Sequence, residues 1–520
     1  MEFDVLIRNG SLVDGSGAPA RPGDIGIRGD RIAAIGKLDG ATADTVIDAT
    51  NSVVSPGFID VHVHSEVANL GGEHRYGSVL QGITTNFIGA DGFGWAPLPP
   101  DKSRRLWEST LTTLSEDDAG LSLDWPTVEL FLDIFPGNTP VNIVSQVPHV
   151  AVRMGAMGME ARLATDDELE QMKATTREWM EAGAVGICLG LDYEPSSAAD
   201  TRELVELCKV VREYGGVYAA HIRYIDVGVE AAWRETMEIG EQADIPVHIS
   251  HEEVDDLKAR LLDEASQRCD LTFESYMYPA GCTRLTYLLP TWANEGGPRG
   301  LRDRLRDPQI RKQLRDHVQH NPLAGEASGV RAVFVHTQTG RYIGMTIAEA
   351  ARAEQEEIGD FVVRVLDEEF PTQMLIYHRA VTPEAHREII RNSIQHPAMM
   401  VASDGVYHGI SAHPRGYACF ARVLRLCVRE MQAVTLEQAV HKMSGFSAER
   451  FGLTDRGLLR EGYAADVVIF DPDTVADQAT WEEPRLHPIG IDRVIVNGET
   501  VILDGAPTGK MPGQVVRRGQ

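Results

Sequence analysis

Two histidines, His62 and His64, close the apolar run GFIDVHVH (57–64). Their two-residue spacing puts both imidazoles on one face of an extended segment. His221 stands near the end of GVYAAHI (216–222), His251 ends IPVHISH (245–251), and Asp404 lies near the end of AMMVASDG (398–405). Neutral imidazole and carboxylate are the ligand set for Zn²⁺ or a similar divalent ion. Any one of these histidines alone is better read as a satisfied core or surface residue. Five polar residues that all end apolar runs are a different matter, because buried polar groups without partners are costly. A metal centre of one or two divalent ions, zinc first among them, accounts for all five.

Such a centre needs elements that bring the five together. From about Pro56 to about Phe451 apolar runs alternate with helical patterns. The candidate strands are 57–64, ITTNFIGA (83–90), NIVSQV (142–147), AVGICLG (184–190), 216–222, 245–251, LTFESYMY (271–278) and 398–405; helix patterns include 166–183 and 199–216. Eight strands in β-then-α alternation predict an α/β protein built on a TIM-like (β/α)₈ barrel, whose C-terminal strand ends converge on one site. Short β-type runs with Asp-Gly and Asn-Gly turns stand at both ends of the chain, for example DVLIR (4–8), ADVVIF (465–470) and DRVIVNG (492–498). Both termini are therefore expected to build one small β-sandwich, from residues 1–56 and 458–520, around a barrel of residues 57–457. The charged helical stretch at about 284–345 is too long for a plain βα loop and reads as an inserted lid.

Composition narrows the function classes. Lys and Arg total 49 against 77 Asp and Glu, a formal net charge of −28. That field repels phosphate backbones and anionic membranes, which argues against nucleic-acid and lipid-surface roles. The six cysteines are scattered without CxxC spacing, the N-terminus MEFDVLIRNG does not read as a secretory signal, and no apolar run approaches a membrane span. A reduced, cytoplasmic, soluble enzyme acting on a small molecule is expected, with apolar edges on the end domain that suit a homo-oligomer.

The run SPGFIDVHVHSE, followed by strand-end histidines and SDG, resembles the amidohydrolase superfamily. A finer resemblance, to the N-acyl-D-amino-acid deacylases (the D-aminoacylase family), rests on AAHIR (219–223), ISHEE (249–253), GCTRLTYLLPTWANEGG (281–297), VASDGVYHGISAHPRGYACFARVL (401–424) and DRGLLREGYAADVVIFDP (455–472). The resemblance spans essentially the whole chain and implies metal-dependent hydrolysis of the amide bond of N-acyl-D-amino acids. It makes His221 and His251 ligands of the tight metal site. The family's third ligand is a Cys; here GADG (89–92) puts Asp91 in its place, as a ligand or as the cap of a Gly-rich turn. His62, His64 and Asp404 would form a second, weaker position, with Asp404 also the general acid/base. Tyr276, or its neighbour Tyr278, would polarise the amide carbonyl, and Arg415 would clamp the substrate carboxylate.

The pocket departs from the family pattern at two points. Glu253 stands where many relatives carry Lys, and Cys282 where Ser is typical; Arg223, Arg284 and Lys442 are cations that can compensate. If Glu253 faces the pocket, N-acyl derivatives of Asp and Glu are expected to be poor substrates, and neutral or basic side chains accepted. Two other readings stay open. A hydantoinase- or dihydroorotase-like cyclic-amide hydrolase would need a carboxylated lysine on the fourth strand, and AVGICLG has none. A non-catalytic barrel would not need a complete ligand set.

Overall fold

Each of the eight apolar runs becomes a strand, and each strand pairs in parallel with the next. The computed structural model describes every residue except 73, 95, 110–120, 370–372, 409–411 and 520. Its barrel strands are β1 (Phe58–Asp60), β2 (Ile83–Ile88), β3 (Asn142–Ser145, resumed at Val147–Pro148), β4 (Gly186–Gly190), β5 (Val217–His221), β6 (Val247–Ile249), β7 (Leu271–Ser275) and β8 (Met399–Val401). The parallel ladder runs from β1 to β8 in chain order. Beyond β1 and β8 the chain pairs again, Val63 with Gly405 and His64 with Val406, and the Ser403 backbone N–H donates to Asp60 Oδ1 at 3.0 Å. These contacts close the ring and bring the His-x-His segment beside Asp404. Both faces of a barrel strand are covered, which is why β2, β4, β5 and β6 bury every residue and read as unbroken apolar runs.

The outer helices begin where the sequence offers caps. Thr165 and Glu168 form a reciprocal capping box ahead of Asp166–Glu181, and Asp200 accepts the Glu203 N–H ahead of Thr201–Glu213. The second helix buries Leu204, Leu207, Cys208 and Val211 on one stripe, the pattern of a helix lying on a sheet. All six cysteines are free thiols, and among the described residues no helix is long and apolar enough to cross a membrane.

A nine-stranded sheet takes five strands from residues 2–56 and four from residues 467–507, joined where Val53–Pro56 runs antiparallel to Val467–Phe470. Ile7, Ile25 and Val54 from one end of the chain pack with Val467 and Ile495 from the other. Asn497 and Gly498, at φ of 48° and 80°, make the tight hairpin their dipeptide predicts. The fold is a (β/α)₈ barrel carrying a β-sandwich domain.

Two boundaries differ from expectation. The C-terminal tail leaves the sandwich: Val515–Val516 pairs with Ile143 and Val144, wedged between the lower parts of β3 and β4. Residues 458–520 therefore do not build the terminal sheet alone. The insertion is longer than 284–345. It opens with the strand Ala280–Arg284, returns with Met374–His378, and includes Arg331–His336 in one antiparallel sheet. Leu301, Leu314, Phe334 and Phe361 give it a core of its own, so it is a small subdomain rather than a loop. Its first and last strands bring Cys282, Arg284, Met374 and Tyr377 over the barrel mouth.

Candidate metal centre and active site

The C-terminal ends of β1, β2, β5, β6 and β8 meet in one buried cluster. Asp91 is its hub. Its carboxylate lies 3.5 Å from His62 Nε2, 3.7 Å from His64 Nε2 and 3.9 Å from His251 Nε2. His221 Nδ1 faces His251 Nε2 at 2.9 Å. Asp404 Oδ1 stands 3.6 Å from His62 Nε2 and 3.5 Å from His64 Nε2. Two sets of candidate ligands result, His62, His64 and Asp91 on one side and Asp91, His221 and His251 on the other, with Asp91 common to both.

Local backbone conformation aims three of these groups. Asp91, His251 and Asp404 have φ of 52°, 44° and 46°, left-handed values that cost a non-glycine residue about 1–3 kcal/mol. Gly92 makes the Asp91 turn possible, since a Cβ there would stand 2.8 Å from the Cys188 carbonyl oxygen. Asp91 Oδ1 is buried without a hydrogen-bond partner. His62 Nε2 is also buried without one. Unpartnered buried nitrogen and oxygen atoms fit a candidate cation site, and the set suits a divalent ion.

Carboxylates behind the histidines hold them in place. Glu274 Oε1 accepts from His62 Nδ1 at 2.9 Å and from the His251 backbone N–H at 2.8 Å, while Oε2 contacts His248 Nε2 at 2.6 Å. Asp192 Oδ2 accepts from His221 Nε2 at 3.0 Å, and its two oxygens accept the backbone N–H groups of Tyr224 and Ile225. Each bond leaves the other ring nitrogen facing the cluster. Burial disfavours charge on His62, yet Asp91, Glu274 and Asp404 raise its pKa to about 10. The cluster therefore has surplus negative charge that calls for a cation.

Above the cluster a small cavity, about 60 Å³ in volume, opens between barrel and insertion. Tyr276, Cys282, Arg284 and Arg415 line it, together with His64, Asp91, His221, His251 and Asp404. Arg415 Nη1 pairs with Asp404 Oδ2 at 2.8 Å, and its guanidinium lies 4.4 Å over the Tyr276 ring. Burial would raise the Asp404 pKa, but Arg415 and the histidines hold it well below the carboxylate range. Burial keeps the Tyr276 phenol protonated and pushes the Cys282 thiol up to about 11. Tyr278 turns away, toward His413, Trp481 and Arg422. Of the motif 401–424, residues 409–411 lie outside the described residues.

Three expectations are corrected. Glu253 does not line the cavity; Arg379 clamps it with both terminal nitrogens and His386 Nε2 lies 3.4 Å away. The left-handed turn at His251 redirects the chain, so two-residue spacing no longer preserves facing. Arg223 also lies outside the cavity, bonded to the Ser197 and Ala199 carbonyls and to Glu235. Lys442 sits at the opposite end of the barrel, on the His396 and Met399 carbonyls. Glu274 and Asp192 went unrecognised in the sequence. An acid inside the apolar strand LTFES, and another two residues past the end of β4, were the available signals.

The profile of the amidohydrolase family matches residues 45–273 and 304–502. The chain belongs to that family. D-aminoacylase of Alcaligenes xylosoxydans xylosoxydans is 35% identical, the match covering 99% of this chain and 98% of the relative. A D-aminoacylase structure concerned with the functional role of a binuclear metal centre superposes with a TM-score of 0.81, at 33% identity and 99% and 100% coverage. N-acyl-D-glutamate deacylase from Bordetella bronchiseptica, complexed with zinc and a phosphonate inhibitor, superposes with a TM-score of 0.83, at 31% identity and the same coverage. This amidohydrolase thus matches D-amino-acid deacylases along both whole chains.

Proposed function

We propose that this amidohydrolase is a divalent-metal-dependent deacylase that hydrolyses N-acyl-D-amino acids to a carboxylic acid and a free D-amino acid. The observation that carries the reading is the Asp91-centred cluster of His62, His64, His221, His251 and Asp404 beneath a cavity lined by Arg415 and Tyr276. Whole-length similarity to D-aminoacylase supports the substrate class.

His221, His251 and Asp91 would hold the principal ion, and His62, His64 and Asp404 a second one, with Asp91 shared; zinc is the first candidate. A bound ion supplies Lewis acidity that polarises the amide carbonyl and makes a water nucleophilic at neutral pH. The residues of the chain do the rest. Asp404, kept ionised by Arg415, takes the proton of the attacking water and passes it to the leaving nitrogen. The Tyr276 O–H, protonated at any working pH, donates to the carbonyl oxygen as negative charge develops there. Arg415, whose Nε has no hydrogen-bond partner in the protein, takes the substrate α-carboxylate. The buried side chains around the pocket lower the local dielectric and strengthen each of these interactions. Among the described residues lining the cavity there is no lysine, and β4 carries none, so nothing favours the carboxylated-lysine centre of a cyclic-amide hydrolase.

The test is a hydrolysis screen of N-acetyl D- and L-amino acids with added Zn²⁺, Co²⁺ or Mn²⁺, before and after chelation. The expected outcome is D-selective cleavage, lost on chelation and restored by metal. Full activity in metal-free protein, or cleavage of hydantoins with none of N-acyl-D-amino acids, would overturn the reading.

A further inference from the structure

The two cations lining the cavity, among the described residues, are in different situations. Arg415 faces the Asp404 carboxylate inside the site. Arg284 lines the cavity too, but it meets Glu194, which does not: Nη1 donates to Oε1 at 3.1 Å and Nη2 to Oε2 at 3.2 Å. Both side chains are deeply covered, at 8% and 10% exposure, and the guanidinium packs 5.2 Å over the Tyr193 ring. The fork-to-fork geometry is the strongest form of this pair and leaves it with no net charge.

We propose that Glu194 is a specificity-determining residue, whose carboxylate masks Arg284 and restricts the enzyme to N-acyl-D-amino acids with uncharged apolar or aromatic side chains. The inference rests on the deacylase reading above and goes beyond it by naming the side-chain class.

A substrate with an acidic side chain carries two carboxylates into the cavity. Arg415, paired with Asp404 through Nη1 alone and with Nε unpartnered, takes the α-carboxylate, and the second carboxylate needs another cation. Arg284 is in reach of the cavity but already neutralised, so the second carboxylate sheds its hydration without gaining a partner. The remaining wall favours the opposite substrate: Phe93, Tyr193, Tyr287, Met374 and Tyr377 present rings and a thioether. Glu194 has little freedom to step aside. Two residues on, Ser196 Oγ is bonded to the buried His149 Nδ1 at 2.8 Å, and Arg223 holds the Ser197 and Ala199 carbonyls. Arg223, expected in the pocket, thus acts through the loop that carries the mask.

The experiment measures kcat/KM for N-acetyl-D-methionine, N-acetyl-D-phenylalanine and N-acetyl-D-glutamate on the metal-loaded full chain and on Glu194→Gln. The substitution keeps the shape of the side chain and removes its charge. The native enzyme should favour the two uncharged substrates. In Glu194→Gln the glutamate-to-methionine ratio should rise about 10²-fold, chiefly through KM. Added salt should erode that gain, and the Glu194→Gln/Arg284→Met double variant should lose it. An unchanged ratio in an active Glu194→Gln enzyme would overturn the proposal. So would a native enzyme that favours N-acetyl-D-glutamate or cleaves all three equally, a result that needs no variant to fold and leaves the deacylase reading intact. Cleavage of none of the three would overturn both.

Discussion

Glu274 ties the His62 segment to the segment that carries His248 and His251, so its replacement tests whether the metal centre depends on that carboxylate. It holds the His62 imidazole and the His251 backbone by hydrogen bonds and contacts His248. Glu274→Ala leaves the His62 and His248 rings and the His251 backbone N–H buried without that partner. An unpaired buried donor costs about 1–3 kcal/mol, so three of them set a destabilisation of roughly 3 kcal/mol at the lower end. Glu274→Gln is milder. The amide oxygen can still accept from His62 and the His251 N–H, and the amide NH₂ can donate to His248 Nε2 once that ring takes the tautomer protonated at Nδ1, which then donates to Thr272 Oγ1 at 2.9 Å. Only the charge is lost. The assay is competition with a chromophoric chelator, read beside urea denaturation. Metal affinity should fall about 10-fold in Glu274→Gln and about 100-fold in Glu274→Ala, with stability loss confined to the alanine variant. Native metal affinity in Glu274→Ala would refute the claim that this carboxylate organises the site.

Other substitutions separate the remaining roles. Asp91→Ala should lose metal from both ligand sets, whereas Asp91→Cys should retain it with a preference for softer ions; elemental analysis with unchanged occupancy in Asp91→Ala would point to a mere turn residue. Asp404→Asn should keep metal in the principal set while kcat drops about 10²-fold or more; near-native kcat would exclude it as the proton carrier. Burial lowers the Lys442 pKa from 10.5 to about 8. Between those values the unfolded chain binds more protons than the folded one, so stability should rise with pH across about 8 to 10.5, by at most about 3 kcal/mol. Lys442→Met should flatten that slope in urea titrations, and an identical slope would show that the group titrates normally.

The barrel was legible in the amino-acid sequence because its signals are local. Eight apolar runs, their helical intervals and a polar residue ending several of them follow from strand and helix periodicity within short windows. His62, His64, His221, His251 and Asp404 could be assigned to one end of the barrel on that basis alone. Facing beyond a strand end could not, because one left-handed residue redirects everything after it. Glu253 follows such a turn and is clamped by Arg379, a residue 126 positions away that no spacing rule connects to it. A left-handed residue at Asp91 likewise aims its carboxylate at the cluster, which the spacing of GADG does not show. The partners of Glu274, the masking of Arg284 by Glu194 and the tail strand inserted between β3 and β4 are likewise pairings across distant parts of the chain. The kinds of groups at the site are set by residue type and strand register, whereas which charge each one meets is set by tertiary packing, since Coulomb and hydrogen-bond energies depend on separation in space and not along the chain.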